Sequence, residues 1–546
     1  MADAITAAGD VTPARAGGGM NALARTGALT RLALRLDRVR LTAWVLVVGA
    51  MPAATAANYQ KLYPTEASLD VVRGVVGTPA LVALNGPLFR VSIGSLTSWK
   101  IGVTAYLMAA LMSIFTVVRH TRAEEETGRL ELLGATVVGR NAPLTAALLT
   151  AGLANGGIAL VTAAGLVAVG LPGTGSVALG LSIGLVGLVF AAVAAVTAQL
   201  GTGARTANGM AAAVLGVAYL LRALGDTGPA GLSWVSPIGW ATRLRPYAGE
   251  RWWVVALFAA LLVALLTVAY RFVAARDQGT GVLPERPAPA TAGASLSSPL
   301  GLAWRLHRGT LLGWMIGLAV AGAVMGGAVH GVSDAGDLSP QMTELLARMG
   351  GRKALADQFL AAVMGIAGLT AAAYTVQATM RLRAEESGGR TEPLLATPIS
   401  RTRWATSHLV FAALGTALLL AVFGAAAGLV YGASTGDIAG QVARLTVAAL
   451  VQLPAAWVVG AIGVALFGFS ARLAAIAWAV LVTSVLIVEL GAILGLNHWV
   501  MDTSPFTHVP KLPGTRLVGT PLVWLSGVAV VLATGGLAAF RRRDLR

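Results

Sequence analysis

Residues 174–199 read TGSVALGLSIGLVGLVFAAVAAVTAQ and contain no charged side chain. A helix of this length can cross the hydrocarbon core of a bilayer, which is about 30 Å thick. Similar apolar segments recur along the chain, near residues 42–59, 99–119, 143–169, 206–223, 252–274, 311–329, 359–380, 404–432, 440–468, 473–494 and 521–540. The sequence therefore predicts an all-α polytopic membrane protein with about twelve transmembrane helices.

The composition favours the same class. Of the 546 residues, 56% are hydrophobic and 12% are charged, whereas soluble domains carry about 25% charged residues. A water-soluble globule is therefore excluded. There are 0 cysteines, and the 6 histidines are scattered, so disulfides and thiolate-bound metals are excluded and no metal site is predicted.

The basic residues lie mainly in short segments beside apolar runs. The formal net charge is +16, but clusters such as Arg541 to Arg543 are typical of cytoplasmic loops and of contacts with anionic membrane lipids. We therefore predict no nucleic-acid partner and place both termini in the cytoplasm. The opposite side carries Arg243, Arg245 and Arg251 as well, so the charge bias is a majority.

A duplicated charged loop indicates an internal repeat. Residues 122–136 read RAEEETGRLELLGAT and residues 383–397 read RAEESGGRTEPLLAT, and the two align without a gap. Further pairs follow in the same order: Arg140 and Arg401, Arg205 and Arg472, Ser236-Pro237 and Ser504-Pro505, and Arg276-Asp277 and Arg543-Asp544. The segment before the first span, Leu34 to Arg38, likewise matches Trp304 to Arg308. The chain is a tandem duplication.

The repeat predicts the domain organisation. Residues 1–30 form a flexible cytoplasmic tail, residues 31–276 and 300–546 form two six-helix halves, and residues 277–299, rich in Pro, Ala, Gly and Ser, form a cytoplasmic linker. Because each half has an even number of spans, the two halves run through the membrane in the same direction, as parallel repeats.

The duplicated loop is the best candidate for a docking site. Its charges alternate with leucines, and Gly128 or Gly388 lets the chain turn away from the preceding span. A solvated loop that only fixes topology is the alternative, but two near-identical copies favour docking. Catalysis is disfavoured because adjacent glutamates project about 100° apart on a helix. The docking candidates are Glu124, Glu125, Arg129, Glu131, Leu133, Glu385, Glu386, Arg390, Glu392 and Leu394.

The chain carries no ATPase motif of its own. A phosphate-binding loop requires a lysine followed by Ser or Thr. The four lysines, Lys61, Lys100, Lys353 and Lys511, are followed by Leu, Ile, Ala and Leu. Any ATPase that drives this protein must therefore be a separate subunit.

Together, the two repeats of spans, the basic amphipathic segments, the Arg-Ala-Glu-Glu loop and the Ser-Pro elements resemble the fused permeases of ABC-2 type exporters. The similarity is greatest to the actinobacterial polyketide-antibiotic (tetronasin-type) and multidrug exporter group. It covers nearly the whole chain except the tail and the linker.

This resemblance implies a permease of the bacterial plasma membrane, driven by two copies of a cytoplasmic ABC ATPase that binds ATP and Mg. No cofactor is implied for this chain. The amphipathic segments would be elbow helices, and Glu124 to Thr136 and Glu385 to Thr397 would be coupling helices. The Ser-Pro elements would dip back into the membrane before each last span. The second copy departs from the first at Thr391 and Pro393.

Two charged residues at membrane depth are candidates for an outer gate. Arg222 near the end of the fifth span and Glu489 near the end of the eleventh occupy equivalent positions in the repeat. Ionisable residues within spans are costly and are functional candidates, so we predict an ion pair that helps to close the outer gate. The alternative is that each side chain snorkels separately to the interface.

Adaptable side chains on the second and fifth spans of each half are candidates for the substrate path, because methionine and aromatic residues suit varied amphiphiles. Ordinary helix packing is the alternative for each. The candidates are Tyr106, Met108, Met112, Phe115, Tyr219, Tyr374 and Gln377.

The predicted function is outward transport of a hydrophobic or amphipathic small molecule, such as a drug, an antibiotic or a lipid-like compound, by alternating access. The main alternative is an ion-coupled secondary multidrug transporter, which also has two parallel six-helix repeats but is expected to carry more buried titratable groups. A membrane-embedded transferase would need a cluster of catalytic residues that the sequence lacks.

Overall fold

The computed structural model describes residues 21–64, 76, 79–129, 137–229, 231–276, 280–282, 291, 293–333, 351–490 and 497–544. Within these ranges the chain is helical and contains no strand. The predicted all-α class is confirmed.

The first half consists of one short amphipathic helix, six long apolar helices and short connecting helices. Its main helices are α1 (Thr26–Leu36), α2 (Arg38–Leu62), α3 (Pro79–Asn85), α4 (Ile93–Val118), α5 (Ala142–Ala168), α6 (Gly173–Leu200), α7 (Ala204–Thr227), α8 (Pro237–Arg243) and α9 (Val254–Ala275). After Val118, α4 continues through a π-helical turn, Arg119–Ala123, to Glu126. This continuation carries the first copy of the duplicated loop.

The second half repeats this order. Its main helices are α10 (Pro299–Ser333), α11 (Gly351–Ser387), α12 (Thr391–Leu395), α13 (Arg401–Thr435), α14 (Ile438–Leu450), α15 (Leu453–Phe469), α16 (Ile476–Leu490) and α17 (Gly519–Arg542). The predicted span 440–468 is divided into α14 and α15, because a new helix begins at Leu453 with Pro454 in its first turn.

Eleven helices in the described ranges are long and apolar enough to cross a membrane, with α14 and α15 forming one of them. The predicted span near 473–494 is the exception. It is the shorter apolar helix α16, and residues 491–496 lie outside the described ranges. Length and composition thus identify a multi-pass membrane protein.

Small residues let the buried helices approach one another. α6 is largely enclosed by its neighbours, and Gly180 on this helix faces the Ala159 carbonyl of α5 so closely that an added Cβ atom would overlap it. Such small residues are the usual means of tight packing in a bilayer, where apolar side chains gain little from leaving lipid.

The chain divides into two compact units, with the boundary between Pro287 and Ala288 apart from the short segment Thr78–Ala80. This boundary falls within the segment that the sequence marks as the linker. The two units differ at their N-terminal ends: α1 is a separate short helix before α2, and we call this helix and its junction at Asp37 the elbow. The matching residues of the second half are continuous with the long helix α10.

Candidate coupling site and transport path

In the first half the duplicated loop is joined to the end of the last span. Arg276, which caps α9, donates from Nη1 to Glu125 Oε1 at 2.7 Å and from Nη2 to Glu125 Oε2 at 2.9 Å. Arg122 donates from Nη1 to the same carboxylate at 2.7 Å. Glu125 and Arg122 are buried, so these charges stabilise one another where water is scarce.

The second half contains the same connection. Arg543, which caps α17, donates from Nη2 to Glu386 Oε2 at 2.6 Å. Glu386 and Arg543 are the repeat counterparts of Glu125 and Arg276. We call the Glu125–Arg276 and Glu386–Arg543 contacts the loop–span pairs.

A second contact is also repeated. Arg140 Nη2 donates to the Arg276 carbonyl at 2.8 Å, and its counterpart Arg401 Nη1 donates to the Arg543 carbonyl at 2.5 Å. The segment that leads into the third span of each half is thus bonded to the same point at the end of the last span. Two independent contacts at matched positions show that the loop–span pairs belong to the repeated architecture.

The surroundings of the two pairs differ. Arg276 Nε donates to Gln199 Oε1 at 2.6 Å, whereas the guanidinium of Arg543 lies over the Phe467 ring at 5.1 Å and the Phe540 ring at 5.5 Å. Arg122 bonds both Glu125 and the Thr280 carbonyl.

The remaining charges of each loop form a second ion pair, in which the arginine is exposed and, in the second half, the glutamate is buried. Glu124 lies 3.5 Å from Arg129, and their counterparts Glu385 and Arg390 are 2.8 Å apart. The hydrogen bond to Glu385 raises the pKa of Arg390. Arg129 and Arg390 are largely exposed and keep an accessible surface for a partner.

The other docking candidates are only partly described. Glu392 is exposed and Leu394 is half-buried. Glu131 and Leu133 lie outside the described ranges. Gly128 has φ 74°, as the turn after the span requires, but in the second half Gly389, with φ 66°, has this role in place of the predicted Gly388.

A buried carboxylate holds the elbow of the first half, and the sequence did not reveal it. Asp37 lies between α1 and α2 and accepts hydrogen bonds at 2.8 Å from Arg40 and 2.7 Å from His120, with Arg119 at 3.2 Å. The signal that could have found it is its position, since an aspartate between two apolar helices needs cationic partners.

The second half replaces this carboxylate by an imidazole. His307, the counterpart of Asp37, bonds His408 through Nε2 and Nδ1 at 3.0 Å. Both rings are buried. The two halves therefore fix their first helix by different chemistry, one with an ionic cluster and the other with a histidine pair.

At the opposite end of the first half, Arg222 has partners within its own unit. Its Nη1 lies 3.5 Å from Asp226 Oδ2, and its Nη2 donates to the Leu84 carbonyl at 3.0 Å. Arg243 lies 3.4 Å from the other oxygen of Asp226. The Glu489 side chain lies outside the described part of the structure, so the outer-gate pair stays a prediction.

The Ser-Pro elements begin helical turns. Ser236 Oγ accepts hydrogen bonds from the backbone N–H groups of Ile238 and Gly239 at the start of α8. In the second half Pro505 begins a single 3-10 turn that ends at His508. That these elements dip into the membrane stays a prediction.

Comparison with known proteins identifies the family. The chain is 45% identical over 521 residues to the multidrug efflux system permease protein Rv1217c of Mycobacterium tuberculosis (strain ATCC 25618 / H37Rv), covering 95% of each protein. The chain belongs to the multidrug efflux permease family. The family model for the C-terminal domain of the multidrug efflux system permease Rv1217c also matches residues 296–541. The wider resemblance to ABC-2 permeases and the tetronasin-type group stays a prediction.

Three of the substrate-path candidates of this permease pack inside their own halves. Tyr106 donates to the Ala241 carbonyl at 3.5 Å and accepts from Ser182 at 3.2 Å. Tyr374 donates to the Phe411 carbonyl at 3.0 Å. Met112 is 1% exposed. Each of these side chains is held by contacts that leave little surface for a ligand within its half.

The other four candidates keep accessible surface. Phe115 is 45% exposed, and Met108 and Tyr219 are half-buried. Gln377 is exposed and accepts a hydrogen bond from Trp314 Nε1 at 2.7 Å. These residues can contact a substrate, and their role in the permease path stays a prediction.

Proposed function

We propose that this permease is the membrane subunit of an ATP-driven exporter that moves hydrophobic or amphipathic small molecules out of the cell by alternating access. Two copies of a cytoplasmic ABC ATPase, which bind ATP and Mg, would supply the energy. In this proposal the permease lies in the bacterial inner membrane with both termini in the cytoplasm.

The repeated loop–span pairs carry this proposal. A cytoplasmic ATPase can move the transmembrane helices only if the element that it contacts is firmly attached to one of them. Glu125 and Glu386 provide that attachment in each half, because a buried ion pair is costly to separate. One loop–span pair in each half suits an ATPase that is present in two copies.

The division of charges within the loop supports the same model. The loop–span pairs are buried, whereas Arg129, Arg390 and Glu392 are exposed. The inner charges would transmit movement and the outer charges would contact the ATPase. The lysine inventory supports a separate ATPase, since no lysine stands in a phosphate-binding motif.

The docking surface can be tested by co-purification with the ATPase subunit. Reversing two exposed charges, Arg129→Glu and Glu392→Arg, should reduce recovery of the ATPase about tenfold, which corresponds to about 1.4 kcal/mol of binding free energy. Arg271→Glu is the matched control, because Arg271 is exposed at the end of α9 but lies outside the loop. Equal recovery from the loop variant and the control would contradict docking at the loop.

Transport in liposomes separates this proposal from ion-coupled export. The purified permease, reconstituted with the ATPase and ATP, should move the hydrophobic dye Nile red across the bilayer, and the permease alone should not. Uphill transport by the permease alone, driven by a proton or sodium gradient without nucleotide, would contradict the proposal and favour a secondary transporter.

A further inference from the structure

A large cavity lies within the second half, at the end of the unit opposite the loop–span pair. Its volume is about 570 Å³, which falls in the range of about 300–1,000 Å³ that is usual for small-molecule sites. The wall is formed by residues 358–366 of α11, the junction of α14 and α15, the end of α16, and the turn at Pro505–His508 with the segment that follows it. This cavity is separate from the duplicated loop.

The lining of the cavity is amphipathic. Ile366 and Phe506 contribute apolar surface, and Gln358, Gln452, Lys511 and Thr515 contribute polar groups. A few polar groups in a mainly apolar cavity is the composition expected of a ligand site, because the apolar part provides affinity and the polar part fixes orientation.

The position of Gln452 at the wall depends on a close helix approach. Gln452 is 4% exposed, and a Cβ atom added to Gly368 would lie only 2.7 Å from the Cβ atom of Gln452. Glycine at residue 368 therefore lets the helix junction that carries Gln452 pack against α11, which brings the amide to the cavity.

Lys511 is the cationic group of this cavity. Among the described residues it has no acidic partner, and Asp357, beside Gln358 on α11, is already bonded to Arg444 at 2.6 Å. The Lys511 side chain is exposed, so its ammonium group can reach an anion without breaking an existing contact.

The first half carries a large ring at the position that matches Thr515. Counted from the matched Ser236-Pro237 and Ser504-Pro505, this residue is Tyr247. The Tyr247 ring lies against Gly94 and Gly175, where added Cβ atoms would overlap it, and its hydroxyl bonds Ser176 at 2.9 Å. Burial raises the pKa of Tyr247 to about 12, so it remains neutral. The cavity left beside these residues is about 30 Å³, which is room for only a few water molecules.

We infer that the cavity of the second half binds an amphipathic small molecule with one anionic group, such as a carboxylate. The apolar body of the ligand lies against Ile366 and Phe506, and its anionic group lies next to Lys511. The inference rests on the proposed export function for its biological meaning, but binding itself needs neither the ATPase nor ATP.

The test is fluorescence binding of dansyl-undecanoic acid to the purified permease in lipid nanodiscs. Lys511→Met should weaken binding of the acid about tenfold, as expected for the loss of one charge-assisted hydrogen bond. Lys511→Arg should restore most of the affinity. The methyl ester of the same probe should bind equally to the wild type and to Lys511→Met, because it carries no charge.

Two further variants separate the cavity from the membrane surface. Thr515→Tyr, which introduces the residue of the first half, should weaken binding of both probes, because the added ring occupies part of the cavity. Arg516→Met removes one positive charge, as Lys511→Met does, but at the residue after Thr515. Arg516 is exposed and lies outside the cavity lining, so this variant should leave binding unchanged.

Equal loss of affinity in Lys511→Met and Arg516→Met would show that the acid is only concentrated at a basic surface, and would overturn the inference. Wild-type affinity in Thr515→Tyr would also overturn it. Because the assay contains no ATPase, a failed transport experiment with normal probe binding would count against the proposed function alone.

Discussion

The two halves of this permease are alike at one end and different at the other. Both tie the duplicated loop to the last span by a loop–span pair, Glu125–Arg276 and Glu386–Arg543. At the opposite end, the Tyr247 ring packs against Gly94 and Gly175, whereas the matching residue Thr515 lines an open cavity. The comparison teaches that duplication preserved the contact between the loop and the last span and allowed the opposite end to diverge.

The elbow shows an intermediate case. Asp37 contacts Arg40, Arg119 and His120, whereas its counterpart His307 contacts a single histidine. The position of the anchor is kept but its chemistry is changed. Function should therefore depend on both loop–span pairs, while stability should depend more strongly on the ionic contacts of the first half.

The largest effect is expected at Glu125. Glu125→Ala leaves Arg122 and Arg276 without their shared carboxylate, and breaking a buried ion pair in this way costs about 3–5 kcal/mol. Glu386→Ala removes a single described guanidinium contact and should cost less. Thermal unfolding of the purified variants in detergent checks the order. Greater destabilisation by Glu386→Ala would contradict the difference between the halves.

A smaller effect is expected from exchanging residues at the outer end. Tyr247→Thr should cost about 3 kcal/mol, because the ring is buried and its loss leaves a cavity. Calorimetry of the purified variant measures the change. Tyr247→Phe is the control, because it keeps the ring and removes only the hydrogen bond to Ser176. An equal loss of unfolding free energy in Tyr247→Thr and Tyr247→Phe would show that the ring does not fill space inside the first half.

Substitutions at the elbow and at its counterpart in the second half should destabilise the protein less than Tyr247→Thr. Asp37→Asn removes the charge that binds Arg40 and His120, and hydrogen bonds to charged groups contribute about 1.5–3 kcal/mol. His307→Asn in the second half replaces a neutral contact, worth about 1 kcal/mol. Chemical denaturation of the two variants compares them, and the reverse order would show that the histidine pair is the stronger anchor.

The smallest effect is expected at Thr515. Thr515→Tyr adds a ring to an open cavity, so the free energy of unfolding should change by about 0.5 kcal/mol or less, as at a surface position. A midpoint of unfolding well below that of the wild type would mean that the cavity is too closely packed to admit a ring.

Much of the fold could be predicted from the sequence, because apolar length and the repeat are both local signals. Residues 174–199 lie in α6 as expected. The sequence did not predict the break between α14 and α15 or the short length of α16. Hydropathy averages over such interruptions, and a single residue such as Pro454 divides a span without lowering its apolar content.

The site was predicted only in part. Repeat alignment placed Glu125 with Glu386 and Arg276 with Arg543, but not the contact of each glutamate with its arginine, because the partners are far apart in sequence. The available signal was that both members of the contact recur in both halves. The cavity beside Lys511 could not be predicted. The first half has Tyr247 where the second has Thr515, but a smaller side chain in a loop indicates a cavity only when the packing around it is known.

The most direct test of the central claim is a charge swap in the second loop–span pair, measured as ATP-driven Nile red transport by liposomes that contain the permease and its ATPase. Glu386→Arg and Arg543→Glu should each abolish transport while the ATPase remains bound, and the double variant should recover a large part of it because the ion pair is restored. A double variant no better than the single variants, or single variants that transport at the wild-type rate, would contradict the claim that this pair transmits the force.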